Sequence, residues 1–323
     1  MNSDFEPDKG RRRTLVTGGT LLAGLLGTPA LAGQGGPSQA PSNSASTQAT
    51  LPVREMEMIL RSQGTVREGV LSIEQDRNDL DNVVGPGGIP WKPSFQIQNE
   101  LHFQAIGSGR AIFNGELSLL DHETNPVIDR IVANGLVFQA FHQHFFDLKP
   151  QLWHIHFRGA AAPLELARAV ANVVAATGTP LPQTMPAHPS TPLNAELLAE
   201  ILGGEAQIGE GGVVHVTVPR REQIILAGVP VSSELGLEHN IGFEPLGGNR
   251  TAVAPDFGLT ASEVDAVMAI TRQYGFAVHC LYNQETAERP QLYFSHQLAV
   301  GDACDLARVV RRALEKTNTR FAR

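Results

Sequence analysis

Cysteine is almost missing from this chain: Cys280 and Cys304 are the only two in 323 residues. No disulfide framework therefore holds the fold, and stability has to come from burial. The pair is either one bridge or two small buried hydrophobes. Their counterparts in the internal repeat described below, Ala140 and Leu164, sit on faces that read as core, which favours the second. Basic residues are outnumbered, 25 Lys and Arg against 33 Asp and Glu, for a net charge of −8. That balance leaves no basic footprint and excludes nucleic acid as a default partner. No apolar run reaches about 18 residues, so the mature chain has no integral membrane span. No G-x-S-x-G elbow, phosphate loop or H-E-x-x-H helix occurs, which removes the commonest hydrolase, nucleotide and zinc-protease readings. Hydrophobic residues at 42% and charged residues at 18% describe a folded globular chain.

What the chain does have is a copy of itself. Residues 103–179 reappear without a gap at an offset of 140: Phe103 answers to Phe243, Gly107 to Gly247, Gly135 to Gly275, and His156 to His296. Pro150-Gln151-Leu152 matches Pro290-Gln291-Leu292, and Leu166-Ala167-Arg168 matches Leu306-Ala307-Arg308. Further upstream Gly69-Val70 matches Gly212-Val213 after a shift of three residues. A repeat of this length is a domain duplication, since solenoid units run to about 20–50 residues.

The ends and joints read as follows. Residues 1–32 form a twin-arginine signal peptide: Arg11-Arg12-Arg13 precede a weakly apolar segment, and Ala30-Leu31-Ala32 is a cleavage site leaving Gly33 first. Periplasmic or extracellular location follows. Residues 33–53 are a flexible linker, 54–178 the first repeat, 179–194 a Pro/Thr-rich linker and 195–323 the second repeat.

Within the first repeat, 101–106, 110–113 and 116–119 read as short strands. A helix follows with Asn125 as cap, Pro126 at its first position and Gly135 as stop. In the second copy Thr260 and Glu263 give a capping-box pattern. Strands 136–145 and 151–158 come next, then a helix over 163–177. Strands outnumber helices and their connections are short, so the fold class is α+β: two tandem homologous domains, each a largely antiparallel sheet packed with helices and holding its own core.

The chemistry lies on the last two strands of the first repeat. His142 and His144 share one strand face, as do His154 and His156. If the strands form a hairpin pairing 142 with 156 and 144 with 154, all four imidazoles converge, with opposed Cβ atoms about 5 Å apart. Neutral imidazoles at that spacing share one divalent transition ion: Zn, Cu, Ni or Fe. Glu116 adds a carboxylate, as a ligand or a general base. The alternative is that Leu136, Phe138 and Ala140 make this face core, with the histidines as its polar ends. His102 and His122 read as surface or outlying residues, and His188 belongs to the linker. The second copy has Tyr282 and Gln284 where the first has His142 and His144, so the expectation is one ion per chain, in the first repeat, released on acidification through about pH 6–7.

At these residues the chain resembles the LppY/LpqO family of exported bacterial proteins, a group of unknown function. The resemblance rests on His142-Gln143-His144, Pro150 and His156, preceded by Gly115-Glu116 and Asn125-Pro126-Val127, and it spans both repeats. Leu148 stands where the family motif has Glu, and Gln143 where it has Asn. In the second copy Asp256, Glu288, Pro290, His296 and Gly301-Asp302-Ala303 keep the pattern. The resemblance implies a tandem-repeat fold and no activity. Three functional readings stand: a protein that binds a metal ion or small ligand through its intact repeat, a metal-dependent hydrolase or oxygenase-like enzyme, and a structural or interaction protein without a metal.

Overall fold

The structure is a computed structural model, and it describes residues 50–80, 82–185 and 187–322. The twin-arginine leader and nearly all of the 33–53 linker lie outside the described residues.

Each repeat builds a six-stranded antiparallel sheet with helices on one face. In the first, the strands lie in the order Thr65–Arg67, Val70–Asp76, Gln98–Gly107, Arg110–Leu119, Trp153–Ala161, Val137–His142. The second follows the same order with Glu205–Ile208, Val214–Val218, His239–Pro245, Thr251–Leu259, Tyr293–Gly301 and Ala277–Val278. Helices Val53–Leu60, Asp121–Ala133 and Pro163–Val174 cover the first sheet, and Ala195–Leu202, Val264–Gln273 and Ala303–Leu314 match them on the second.

The alternation of strand side chains sets the two faces. Along Arg110–Leu119, Phe113, Leu117 and Leu119 turn to the helices, where Ile155 and Phe157 join them in one core. Each fully buried Phe there contributes about 1.5–3 kcal/mol. Val253, Phe257 and Leu259 do the same in the second copy. The opposite faces, carrying Glu116 and Asp256, are largely shielded from water, because the two repeats pack against each other as one compact unit. Two further apolar clusters are built from both copies. Leu80, Val83, Trp91, Phe95 and Ile97 of the first repeat pack on Val213, Ala252, Ala254 and Leu298 of the second. In return Ile224, Leu226, Val231, Leu235 and Leu237 of the second pack with Val70 and Ile112 of the first. Each repeat thus has its own core and also lays an arm on its sibling.

A duplicated buried ion pair fixes the strand ends. Arg77, fully buried, donates to Glu123 at 3.0 Å and to Asp79 at 2.8 Å; Arg220 does the same with Glu263 and Glu222. Glu123 also accepts the N–H groups of Leu120 at 2.8 Å and Gly178 at 2.6 Å. This corrects the cap: the helix begins at Asp121, four residues before Asn125, because the Glu123 carboxylate satisfies the Leu120 N–H. Pro126 lies inside the helix. Glu263 takes the Thr260 N–H at 2.7 Å, as the capping-box spacing requires.

Candidate metal centre

Glu116 occupies a central position on its strand, opposite Glu100 on one side and His156 on the other. On the edge strand His142 faces His154 and Ala140 faces His156. The hairpin is therefore displaced by two residues from the expected pairing of 142 with 156. A two-residue slip preserves parity, so His142, His154 and His156 still share the face. His144 lies past the strand end, and its ring stacks on His154 with centroids 3.4 Å apart. A bulge at Gln139 turns Phe138 to the other side, opposite Phe157. The histidine face is consequently not a continuation of the helix-side core, and the apolar start read for it from Phe138 is corrected.

Three of the four imidazoles contact one carboxylate. Glu116 Oε1 is 2.6 Å from His154 Nδ1 and 3.2 Å from His144 Nε2, and Oε2 is 3.0 Å from His156 Nε2. Two triads have all their ligand atoms within 4.8 Å of one another: His142, His144 and His156, and Glu116, His144 and His154. His144 belongs to both. Six ring nitrogens in this group are buried and make no well-aligned hydrogen bond: both of His142, both of His144, and Nε2 of His154 and His156; of these, only His144 Nε2 and His156 Nε2 have the Glu116 carboxylate beside them, at 3.2 and 3.0 Å. A buried polar atom left unpaired costs about 1–3 kcal/mol, so the apoprotein carries a debt that an electron-pair acceptor would remove.

The second repeat enters the same site. His296 stacks on His144 at 3.6 Å between centroids, and Tyr282 stacks on His142, its own counterpart, at 3.6 Å. Asp256 pairs with His296 as Glu116 pairs with His156, and its Oδ2 is 3.6 Å from His296 Nε2. Cys280 Sγ is 3.2 Å from His296 Nδ1. Both cysteines are free thiols, and Cys280 faces this site, whereas Cys304 packs against the second core. The division into an intact first-repeat site and a separate degenerate one gives way to a single cluster between the copies. Equivalent positions of a duplicated chain that packs face to face meet near the local twofold axis, and the repeat alignment holds that signal once packing is known. No motif or strand parity singles out His279. It lies against Phe146, and burial lowers its pKa to about 4.

Electrostatics separates the groups. Burial opposes ionisation of Glu116, but the imidazoles of His144, His156 and His154 overcome it and hold the carboxyl well below its usual range. Burial, reinforced by neighbouring imidazoles, lowers the pKa of His142, His144 and His296, leaving them neutral and ligand-competent. Burial, with Glu116 nearby, raises the Asp256 pKa well above its ordinary value. His122 and His188 are exposed and remote in role. His102 is buried on the inter-repeat face, not at the surface.

Residues 54–176 and 196–316 each match the model of a family described as a Domain of Unknown Function (DUF1259), and the chain belongs to that family. Neither a curated protein nor a solved structure matches the chain.

Proposed function

We propose that this member of the two-repeat family binds one divalent transition-metal ion at the centre of the inter-repeat cluster, with His142, His144 and His156 as ligands and Glu116 as neighbouring carboxylate. The observation that carries this is the set of buried ring nitrogens around an anionic carboxylate, four of which, both of His142, Nδ1 of His144 and Nε2 of His154, have neither a hydrogen bond nor a carboxylate contact. A hydrogen-bonded polar end to a core would leave none. Imidazole donors with one carboxylate suit Zn, Cu, Ni or Fe. His154 holds Glu116 by a 2.6 Å hydrogen bond and orients it. Within this reading the chain is an exported LppY/LpqO-like protein, cleaved after Ala32 and working in the periplasm or outside the cell, with repeats bounded at 54–178 and 195–323.

Elemental analysis of protein exported by its native host tests the reading. One equivalent of metal is expected, lost in His142→Ala/His144→Ala; a metal-free wild type that binds nothing on titration would overturn it. A second reading, a metal-dependent hydrolase, draws on one observation. A cavity of about 40 Å³ touches Glu116, His144 and His156, enough for a few waters at about 10–15 Å³ each. A metal with three protein ligands and an open position there would make a bound water nucleophilic, with Glu116 as base.

A further inference from the structure

The Pro/Thr-rich stretch between the repeats is pinned to both of them. Gln183 pairs with the main chain of Asp76: its Oε1 accepts the Asp76 N–H and its Nε2 donates to the Asp76 carbonyl, both at 2.7 Å. The Met185 N–H donates to Gln63 Oε1 at 2.9 Å. At the far end Thr191 Oγ1 donates to the Gly212 carbonyl at 2.7 Å. Between these anchors the strap lines one wall of a groove of about 810 Å³, and residues 72–78 of the first repeat and 207–212 of the second help line the rest. That size lies within the range of about 300–1,000 Å³ typical of small-molecule sites.

The walls are polar and carry no fixed cation. No lysine or arginine occurs among the described lining residues, which disfavours phosphates and carboxylates as ligands. Each wall carboxylate is joined to a side-chain amide. Gln98 Nε2 donates to Asp76 Oδ1 at 3.0 Å and lies 3.4 Å from Glu74 Oε2, which Gln207 Nε2 approaches at 3.5 Å, and Asn78 Nδ2 donates to Glu210 Oε2 at 3.2 Å. Carboxylates paired in this way are not a bare anionic cage for a cation. Donors and acceptors stand side by side, and hydroxyl groups, each of which both donates and accepts, match that wall.

The duplication supplies a comparison. In the repeat alignment Glu210 and Gly211 correspond to Arg67 and Glu68, Glu74 to Thr217, and Pro180 to Arg320. Arg67 reaches Thr217 Oγ1 at 3.3 Å and Arg320 pairs with Glu68 at 2.5 Å, so two arginines bridge the copies there, and the hollow beside Glu68 and Arg320 is only about 300 Å³. On the strap side glycine and proline replace the Glu68–Arg320 pair and a carboxylate replaces Arg67, so these bridges have no counterpart. We propose that the strap-walled groove binds a neutral polyhydroxylated ligand, a short saccharide, at a site distinct from the histidine cluster. It stands whether or not the cluster holds a metal, because none of the cluster's proposed ligands lines the groove.

Calorimetric titration of the exported protein with maltotriose, cellotriose and triacetylchitotriose is the test, with spermidine as the cationic control. At least one of the sugars should bind. Asp76→Asn should weaken that sugar by about tenfold, the value of one hydrogen bond to a charged acceptor. Thr184→Trp, on the exposed strap, should abolish binding by filling the groove while keeping the wild-type circular dichroism. His142→Ala/His144→Ala should bind the sugar as wild type does, which separates this site from the metal reading. Failure of all three sugars to bind overturns the proposal, as does sugar binding that survives either groove substitution. Spermidine binding without sugar binding overturns it equally and makes the groove a cation site.

Discussion

Replacing Glu123 by alanine should cost the fold about 3–5 kcal/mol, the range for breaking a buried ion pair by removing one partner. The structure explains why so much. Arg77 is fully buried, Glu123 supplies both its oxygens to that guanidinium at 3.0 Å, and the same oxygens satisfy the N–H groups of Leu120 and Gly178. Asp79 remains to Arg77 in the variant, which places the loss at the lower end. Against a total stability of about 5–15 kcal/mol this is a large fraction, equivalent to roughly 10 °C in melting temperature for a chain of this size. Adding Arg77→Met to Glu123→Ala removes the stranded charge, so the double variant should be less destabilised than the sum of the singles by about 1–3 kcal/mol. Glu263→Ala is an internal replicate, because Arg220, Glu222 and the Thr260 and Asn318 N–H groups repeat the arrangement in the second copy. Urea denaturation followed by circular dichroism gives each value. Losses below about 1 kcal/mol at both glutamates, or additive behaviour of the double variant, would refute the claim that the buried clips fix the sheet ends.

Metal retention on acidification should extend below the pH 6–7 window of free imidazole. Burial depresses the pKa of His142 and His144, and a lowered pKa means protons compete for these nitrogens only at lower pH. Half-release near pH 6.5 in a metal-retention series would contradict this. Tyr282→Phe should leave metal stoichiometry unchanged while His142→Ala/His144→Ala abolishes it, as read by elemental analysis. Burial and then Glu234 push Glu238 up to about 8, above its unfolded value. Stability is therefore lost as pH rises from the unfolded value of 4.5, and the loss is complete above about 8, so Glu238→Gln should flatten the decline in melting temperature of metal-free protein between about pH 5 and 8. Arg12→Lys/Arg13→Lys should block export and leave an uncleaved precursor on immunoblots; normal secretion of a chain starting at Gly33 would exclude the twin-arginine route.

Some of this was legible in the residues alone. The duplication fixes the strand order of the second sheet once the first is known, and side-chain parity places His142, His154 and His156 on one face whatever the exact register. The register itself escaped, because the connection from His142 to Trp153 is longer than a tight hairpin and a bulge at Gln139 absorbs the mismatch. The helix start escaped because Asn125-Pro126 is a strong local signal, yet Glu123, pinned by a distant arginine, outweighs it. The arms escaped entirely. Trp91 and Phe95 carry no periodic pattern, and only their packing on the other repeat explains their burial.

The face-to-face packing also accounts for the loss of histidines in the second copy. Two identical repeats in this arrangement would press His142 against its own equivalent and bring eight imidazoles and two acidic carboxylates into one water-poor space. Every ring nitrogen there would need a partner, and neutral imidazoles cannot all donate to two carboxylates. Tyr282 against His142, Phe294 in place of His154 and Gln284 in place of His144 remove three imidazoles from that space. Tyr282 fills its position with a stacked ring at 3.6 Å, and Gln284 turns its amide to Gly236 O and Glu285. Burial and the nearby Glu116 raise the Asp256 pKa and so disfavour a second negative charge there. The second copy's departures from the motif are therefore what allow the first copy's four histidines and Glu116 to converge, and the asymmetry between the repeats belongs to the site.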